Sequence, residues 1–311
     1  MSNPIDRVLR SNLKLRHLQL LVAIDEFQHI GRAAEFLSVT QPAISKTLAE
    51  IEKLFGFALF ERSTRGTRAT PYGETVIRFA RSVLADYERI RDEISAVAAG
   101  SAGRTRIGAM VVATPVLLAR AVGQLKDASP QTTVLVEEGD LAHLLPKLRL
   151  GELDLVVGRL EPAYAAPDLE TEKLYNEPMT VVVGPHHPLA RKRSVDWKDL
   201  GAIPIVMPPP WASLRVKLDQ IMLKNGVTQP LDVVETASFL VMLTFVEERG
   251  AAGFMARSVS RHFEGEGIVK VLPLRITLPL PPVGLITVRN QRVSPSTARL
   301  IDLLRQVARD F

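Results

Sequence analysis

Two short runs of apolar residues at helical spacing lie near the start of the chain. In residues 31–37 the small side chains of Ala33 and Ala34 would let a helix approach a neighbour closely. After the polar-flanked break at 38–40, one face of residues 41–56 is apolar and must be buried: Ile44, Leu48, Ile51 and Phe55. The spacing predicts two helices joined by a three-residue turn, the geometry of a helix-turn-helix.

The polar side of the second predicted helix carries side chains that suit nucleic acid. Thr40 is a good N-cap, Pro42 falls in the first turn, where its missing N–H costs nothing, and Gly56 is a plausible stop. Gln41, Ser45, Lys46 and Lys53 lie off the apolar stripe, and such side chains hydrogen-bond base edges or phosphates. An ordinary amphipathic helix would show the same pattern, so this helix alone does not distinguish a DNA-binding helix from one with a solvated polar face.

The residues that follow predict a β-hairpin beside this helix. Residues 57–62 read as a short apolar strand, and the basic, turn-rich loop 63–70 leads back to a second strand. Arg62, Arg65 and Arg68 are spaced to follow a phosphate backbone. A wing of this kind favours the nucleic-acid interpretation of the helix before it.

A third pattern predicts one long helix over residues 71–97. Its apolar residues alternate at spacings of four and three, as in a coiled coil: Val76, Ala80, Val83, Tyr87, Ile90, Ile94 and Val97. Such a helix would be about 40 Å long. We interpret it as a dimerisation helix that spaces two winged domains on DNA; the alternative is a helix that lies along its own domain.

Beyond the predicted linker 100–103, strands alternate with helices. Predicted strands begin near residues 107, 133, 154, 180, 203, 231, 253, 269 and 283, and helices cover 115–128, 141–150, 212–225, 238–248 and 294–310. The order predicts an α/β module of two subdomains, with crossings near Glu177 and Pro273.

Ligands of open α/β sheets bind beyond the carboxyl ends of the strands, near helix N-termini. Candidate residues at such positions are Thr114, Pro115, Glu138, Arg159, Trp211, Ser213, Thr236 and Ser238. Hydroxyl groups beside an arginine favour an anionic or polyhydroxylated small molecule. The alternatives are plain N-capping for Thr114, Ser213 and Ser238, a surface ion pair for Arg159, and a core position for Trp211.

Several separate motifs together resemble the N-terminal signature of LysR-type transcriptional regulators. They occur in the family's order and spacing: Leu15-Arg16-His17-Leu18, Ala33-Ala34, Thr40-Gln41-Pro42-Ala43-Ile44-Ser45, Leu59-Phe60-Glu61-Arg62 and Thr70-Pro71-Tyr72-Gly73-Glu74. The resemblance covers about the first hundred residues closely, and the remainder agrees in length and domain order. Within the family the chain looks most like regulators of sugar or aromatic-acid catabolism.

The resemblance implies an α/β fold class with an N-terminal all-α winged helix-turn-helix domain. That domain would occupy residues 1–70, a dimerisation helix 71–99, and an effector-binding domain 100–311. The last would be periplasmic-binding-protein-like, with one α/β subdomain at about 104–177 and 274–311 and the other at about 178–273. An effector bound between them would shift their closure and re-angle the paired winged domains on bent promoter DNA.

The resemblance also implies residue roles and partners. DNA contacts are expected from Arg32, Thr40, Gln41, Pro42, Ser45, Lys46, Lys53, Arg62, Arg65 and Arg68, and dimer contacts from Val76, Val83, Tyr87, Ile90 and Ile94. The expected partners are double-stranded promoter DNA, a small-molecule effector and a second copy of the chain in a homodimer or homotetramer, with RNA polymerase as a further candidate.

Composition narrows the alternatives. The 311 residues carry a net charge of only +5, but basic groups cluster in the N-terminal third. With no cysteine, a disulfide framework and a thiolate metal site are excluded, and a cytoplasmic location is expected, with no membrane segment and no cofactor. The adjacent His186 and His187 are a poor metal pair. The remaining alternative is an enzyme or solute-binding protein on the same α/β module, but no catalytic motif and no secretory signal supports it.

Overall fold

The computed structural model describes residues 5, 8–63, 66–99, 103–227, 232–291 and 293–311. The chain forms two compact units. The N-terminal unit comprises residues 1–101 with 149–153, and the C-terminal unit comprises residues 102–148 with 154–311.

Three helices form the core of the N-terminal unit: α1 (Leu15–Phe27), α2 (Ile30–Phe36) and α3 (Gln41–Phe55). The predicted apolar stripe of α3 is buried, together with Leu21 and Ile24 of α1. Gln28 ends α1 in the left-handed conformation, at φ 48°. Gly56 ends α3 at φ 79°, a conformation that glycine adopts without steric cost. The predicted helix-turn-helix is therefore present.

A two-stranded antiparallel hairpin follows α3 and consists of β1 (Phe60–Ser63) and β2 (Gly66–Ala69). The carboxylate of Glu52 in α3 accepts hydrogen bonds from the backbone N–H groups of Leu59 (2.8 Å) and Phe60 (3.1 Å), which holds β1 against α3. The backbone N–H of Thr67 donates to the carbonyl of Gln28 at 2.9 Å, so β2 is held as well. The wing is thus fixed at both strands.

Helix α4 (Pro71–Ala99) begins directly after the wing. The hydroxyl of Thr70 accepts a hydrogen bond from the backbone N–H of Gly73 at 3.0 Å and donates to the carbonyl of Ala58 at 2.9 Å. A Cβ atom at Gly73 would lie 1.9 Å from the carbonyl oxygen of Leu59, so only glycine fits there. Arg81 forms an ion pair with Asp25 of α1 at 3.1 Å. The start of α4 is therefore fixed to its own unit.

The first sheet of the C-terminal unit has five strands in the order β4-β3-β5-β12-β6. The first three are parallel, and β12 is antiparallel to β5 and β6: β3 (Arg104–Ala109), β4 (Thr133–Glu138), β5 (Leu155–Arg159), β6 (Leu169–Tyr175) and β12 (Val283–Val288). One core cluster joins this sheet to a π-helical turn (Thr114–Leu118), α5 (Ala119–Ala128) and α11 (Pro295–Val307). A further helix, α6 (Leu141–Arg149), follows β4, and 3-10 turns lie at Pro162–Tyr164 and Ala308–Asp310.

The second subdomain has a three-stranded sheet in the order β10-β7-β11 and a parallel pair, β8 and β9. The strands are β7 (Met179–Val183), β8 (Ile205–Met207), β9 (Val233–Glu235), β10 (Gly253–Ala256) and β11 (Lys270–Val271). The helices are α7 (Trp197–Leu200), α8 (Ser213–Lys224), α9 (Phe239–Glu248) and α10 (Arg257–Gly265), with a 3-10 turn at Pro188–Arg191. The chain leaves the first sheet between β6 and β7 and returns to it between β11 and β12.

Three of the helices and strands described here were absent from the sequence prediction: β6, the four-residue α7 and α10. Strand β6 lies at the sheet edge, and five consecutive residues, 170–174, are exposed or half-buried. Charged edge strands lack the apolar alternation that reveals a half-buried strand. Helix α10 has only nine residues and begins immediately after β10, so no polar break separates the two patterns.

Candidate functional site

The exposed face of α3 carries the predicted polar residues. Thr40, Gln41, Pro42, Lys46 and Lys53 are exposed, and Ser45 is half-buried. Thr40 occupies the N-cap position with extended backbone, but its side chain makes no cap hydrogen bond. The N-terminal N–H groups of α3 therefore face outward together with the side chains that could bind base edges and phosphates.

A residue that sequence analysis missed organises the start of α2. The Nδ1 atom of His29 accepts hydrogen bonds from the backbone N–H groups of Gly31 (3.1 Å) and Arg32 (3.3 Å). A Cβ atom at Gly31 would meet the His29 ring at 3.0 Å and the side-chain oxygen of Gln41 at 3.6 Å. Gln41 therefore lies beside the N-terminus of α2, where the exposed Arg32 is also found. Histidine as an N-cap is uncommon, which explains why the pattern gave no signal.

The wing presents one described cation of the predicted three. Arg68 is exposed on β2 and lies opposite Glu61 of β1. Arg62 belongs to β1, but its side chain lies outside the described part of the structure, as does the whole of Arg65. The phosphate contacts predicted for these three arginines stay predictions.

The apolar stripe of α4 divides into two parts. Ala80 is fully buried and Val76 packs against the core of its own unit, whereas Val83 is half-buried. Beyond them, large side chains are exposed: Tyr87 by 47%, Ile90 by 53% and Ile94 by 65%. Phe79, which the heptad assignment left out, is 40% exposed. At 100° per residue Phe79, Tyr87, Ile90 and Ile94 fall within about 80° of each other around the helix, so they form one apolar face.

In the C-terminal unit the candidate effector residues follow the carboxyl ends of neighbouring parallel strands. Ala109 at the end of β3 lies opposite Glu138 at the end of β4, and β5 ends beside them at Arg159. Likewise, Met207 at the end of β8 lies opposite Glu235 at the end of β9. The candidates are therefore gathered at two strand edges, one in each subdomain.

A hydrogen bond joins these two edges. Ser213, the first residue of α8, donates from its hydroxyl to a carboxylate oxygen of Glu161 at 2.7 Å. Glu161 lies two residues after the end of β5, so the contact connects the first subdomain to the second. The N-cap residue of α8 is Ala212, which means that Ser213 is not the plain helix cap considered as the alternative. The sequence analysis did not identify Glu161, because a single acidic residue in a loop belongs to no recognisable pattern.

The other hydroxyls make local contacts. Thr114 begins a π-helical turn that also contains Pro115, and its hydroxyl donates to the carbonyl of Met110 at 3.2 Å. It is therefore not an N-cap, which was the alternative considered for it. Ser238 does cap α9, accepting from the backbone N–H of Val241 at 3.3 Å, and Thr236 accepts from the N–H of Ser238 at 3.0 Å. The capping alternative is therefore correct for Ser238.

Arg159 lies beside the two segments by which the chain crosses between the subdomains, which we call the hinge. Its side chain is only 7% exposed. Its guanidinium donates to the carbonyl oxygens of Pro281 (2.8 Å) and Glu177 (2.9 Å), which belong to the two crossing segments. Burial lowers the pKa of Arg159, and the nearby Glu177 opposes that shift. It is neither a surface ion pair nor an exposed anchor in this structure; it ties the two crossings together.

A second arginine, missed from the sequence, lies at the edge of the second subdomain. Arg215 in α8 donates to the carboxylate of Glu235 at 2.6 Å and to the carbonyl of Pro208 at 2.9 Å. The hydrogen bond to Glu235 is the main cause of its raised pKa. Trp211, which precedes α8, is 79% exposed and so is not a core residue. Glu138, at the end of β4, is also exposed.

Metal and membrane alternatives receive no support from the described residues. His187 accepts a hydrogen bond from the backbone N–H of Leu189 at 3.1 Å, and burial lowers its pKa. Within the described ranges, no three His, Asp or Glu side chains are grouped to hold a metal ion. In the same ranges, no helix combines the length and apolar character needed to cross a bilayer.

Two protein-family comparisons together cover most of the chain. Residues 15–74 match the family described as bacterial regulatory helix-turn-helix protein, lysR family, and residues 98–309 match the LysR substrate binding domain. The chain belongs to the LysR family of transcriptional regulators. Among its relatives are the HTH-type transcriptional regulator GbpR of Azospirillum brasilense, 30% identical over 97% of this chain and 89% of that protein, and PcaQ of Agrobacterium fabrum strain C58, 30% identical over 95% of each.

Solved structures show the same fold for this LysR-family chain. CbnR complexed with its target DNA matches with a TM-score of 0.70 at 19% identity, covering 95% of this chain and 100% of that one. Full-length OxyR C199D from Pseudomonas aeruginosa matches with a TM-score of 0.63 at 28% identity, covering 96% of each. The relatives named above are transcriptional regulators, and the chain is accordingly a DNA-binding regulator with an effector-binding domain rather than an enzyme.

Proposed function

We propose that this LysR-family regulator reads promoter DNA with the exposed face of α3 and the wing. Gln41, Ser45 and Lys46 would enter the major groove, and Arg32, Lys53 and Arg68 would contact phosphates. The observation that supports this most is the fixed geometry around α3: Glu52 holds the wing, and Gln41 lies beside the start of α2. The protein would act in the cytoplasm, where promoter DNA is found.

The DNA proposal is tested by replacing Gln41 and Lys46 together with alanine. Protection of the upstream promoter in a footprint should disappear, because the pair removes base-edge and phosphate contacts without touching the core. The matched control is Gln220→Ala with Lys224→Ala, two exposed positions of α8. Unchanged protection by the first variant would place DNA contacts elsewhere.

A second copy of the chain is expected to cover the apolar face of α4. Large apolar side chains exposed along a single helix face favour pairing with an equivalent helix. The resulting homodimer, or a homotetramer built from two of them, would present two recognition helices to successive half-sites. The domain limits given above, 1–70, 71–99 and 100–311, are proposed on the same basis.

The effector is proposed to be an organic acid or a sugar bound between the two strand edges of the C-terminal unit. The hydrogen bond from Ser213 to Glu161 carries this proposal, because a ligand entering between the edges would replace it with its own hydroxyl or carboxylate groups. Trp211 would lie at the mouth, Thr114 and Thr236 at the opposing edges, and Arg159 would set the hinge.

A thermal-shift screen of sugars and aromatic acids on the full chain tests the effector site. A ligand that binds only the folded state raises the melting temperature, and above its dissociation constant the stabilisation grows with the logarithm of its concentration. Thr114→Val with Ser213→Ala should reduce the shift but leave DNA binding intact. If a ligand stabilises that variant and the wild type equally, the site lies elsewhere.

A further inference from the structure

A cavity whose lining includes none of the candidate effector residues lies beside the first crossing of the C-terminal unit. Its volume is about 240 Å³, and its lining comes from both subdomains. The π-helical turn and α5 contribute Val116 and Arg120, the first crossing contributes Glu177, and α10 contributes three basic residues. A pocket of this size is smaller than the pockets of drug-sized ligands and suits a compact group.

The lining is unusually cationic. Arg120, Arg257, Arg261 and His262 all line the cavity, yet none of them forms an ion pair with any residue in the described ranges. By contrast, other arginines of the same unit, such as Arg215 and Arg305, have carboxylate partners at 2.6 to 2.7 Å. The three guanidinium groups are exposed, so solvent screens their mutual repulsion in part, and an anion bound between them would reduce it further.

The side-chain carboxylates of Glu177 and Asp310 also line the cavity, and Glu264 of α10 interacts electrostatically with Arg261. Glu177 is buried, accepts a hydrogen bond from the backbone N–H of Ser258 at 3.1 Å, and is electrostatically coupled to the buried Arg159. Asp310 is exposed. Neither Glu177 nor Asp310 forms an ion pair with a cavity arginine in the described part of the structure, so the guanidinium N–H groups can still donate to a ligand.

Uncharged donors point to the same chemistry. The hydroxyl oxygen of Ser258, which lines the cavity, is buried, and it interacts with the hydroxyl of Tyr175. The hydroxyl of Tyr175 is also buried and meets no other polar partner in the described residues, while its ring stacks on Phe311 at 4.7 Å between centroids. Ser258 also lies in the first turn of α10, where the helix dipole favours negative charge. Each hydroxyl has one donor and two acceptor sites, so a pair that interacts only with itself can still bind a ligand or a water molecule.

We propose that this cavity, lined by Arg120, Arg257, Arg261, His262 and Ser258, is a second ligand site that binds a small multivalent oxyanion such as a phosphoryl or polycarboxylate group. Arginine binds both groups through paired, charge-assisted hydrogen bonds. Because Arg120 belongs to the first subdomain and the α10 residues belong to the second, a bound oxyanion would link the two beside the first crossing. It would thereby favour one degree of closure over another.

Calorimetric titration of the full chain with sodium phosphate and, separately, sodium citrate tests the proposal at constant ionic strength set with sodium chloride. Wild-type protein should bind at least one of the two anions, and Arg257→Gln with Arg261→Gln should weaken that binding about tenfold or more. The matched control is Arg191→Gln with Arg193→Gln, two exposed arginines of the same subdomain. Its affinity should equal that of the wild type. Citrate and phosphate differ in shape, so their ratio distinguishes a polycarboxylate from a phosphoryl ligand.

Three outcomes would overturn the proposal: no binding of either anion, equal weakening in the test and control variants, or unchanged anion binding in the test variant. Unchanged binding accompanied by a loss of oligomers would assign the cluster to a protein contact instead. If the double variant fails to fold, Arg120→Gln provides an independent test, because Arg120 is exposed and lies on a different element. The outcome of these anion titrations does not depend on the effector site proposed at the strand edges.

Discussion

Glu52 offers the sharpest test of how the recognition helix and the wing are held together. Its carboxylate accepts two backbone hydrogen bonds, at 2.8 Å from Leu59 and 3.1 Å from Phe60. Leu59 and Phe60 are buried, so Glu52→Ala would leave two backbone N–H groups without a partner. Hydrogen bonds to a charged acceptor contribute about 1.5 to 3 kcal/mol each. Because Glu52 is half-buried, the lower value applies, and the loss should be about 3 kcal/mol.

Hydrogen exchange read by mass spectrometry on peptides covering residues 57–63 is the direct assay. A loss of about 3 kcal/mol corresponds to an increase of about a hundredfold in the exchange rate of amides that open locally. Glu52→Gln keeps an acceptor oxygen without its charge and should lie between the wild type and the alanine variant. Glu50→Ala, at an exposed position of the same helix, is the control.

The tryptophans supply an internal check on the same samples. Both Trp197 and Trp211 belong to the C-terminal unit, so the unfolding of that unit followed by fluorescence should not change in the Glu52 variants. Exchange in Glu52→Ala no faster than in Glu50→Ala would refute the role given to this carboxylate, and a wing that is held by Thr67 alone would then be the better account.

Three further predictions concern other parts of the molecule. Tyr87→Asp with Ile90→Asp should give monomers by light scattering, because charge is placed on the exposed apolar face of α4. The control, Arg78→Asp on the other side of the helix, should leave the dimer intact. A dimer that persists in the double variant would show that this face is not the interface. Glu161→Gln should alter the response to effector without altering DNA affinity, since it weakens the hydrogen bond to Ser213; an unchanged dose response in a reporter assay would count against the cleft contact. Glu172→Gln should cost less than about 1 kcal/mol in urea denaturation at pH 7, because the pair with Arg305 is about half exposed. The hydrogen bond from Arg305 lowers the pKa of Glu172. The ion pair therefore stabilises the folded state above the usual glutamate pKa near 4.5, and this stabilisation is lost as the pH falls through the lowered pKa. A stability difference between the wild type and Glu172→Gln that grows in acid would contradict this prediction.

Much of the N-terminal unit was predictable because its signals are local. The stripe of α3, the turn at 38–40 and the long repeat of α4 each follow from residue spacing within one element. The family motif Thr70-Pro71-Tyr72-Gly73-Glu74 also has a local physical reason, since Thr70 caps α4 and Gly73 leaves room for a carbonyl. The roles of Glu52 and His29 were missed because each depends on a contact that spacing does not encode.

The C-terminal unit was predicted at the level of topology but not of contacts. The alternation of strands and helices predicted the α/β fold class, whereas the partners of Arg159 lie 18 and 122 positions away in the sequence. An arginine at the end of a strand looks the same whether it faces a ligand or ties a hinge. The pairing of Ser213 with Glu161, 52 positions apart, is hidden for the same reason.

The central claim, that α3 and the wing read a specific DNA sequence, is tested most directly by fluorescence anisotropy at fixed salt. The account predicts that the full chain binds a duplex from upstream of its target gene about a thousandfold or more tighter than a shuffled duplex of equal length and composition. Gln41→Ala with Lys46→Ala should remove most of that ratio. Equal affinity of the wild type for the two duplexes would contradict the account.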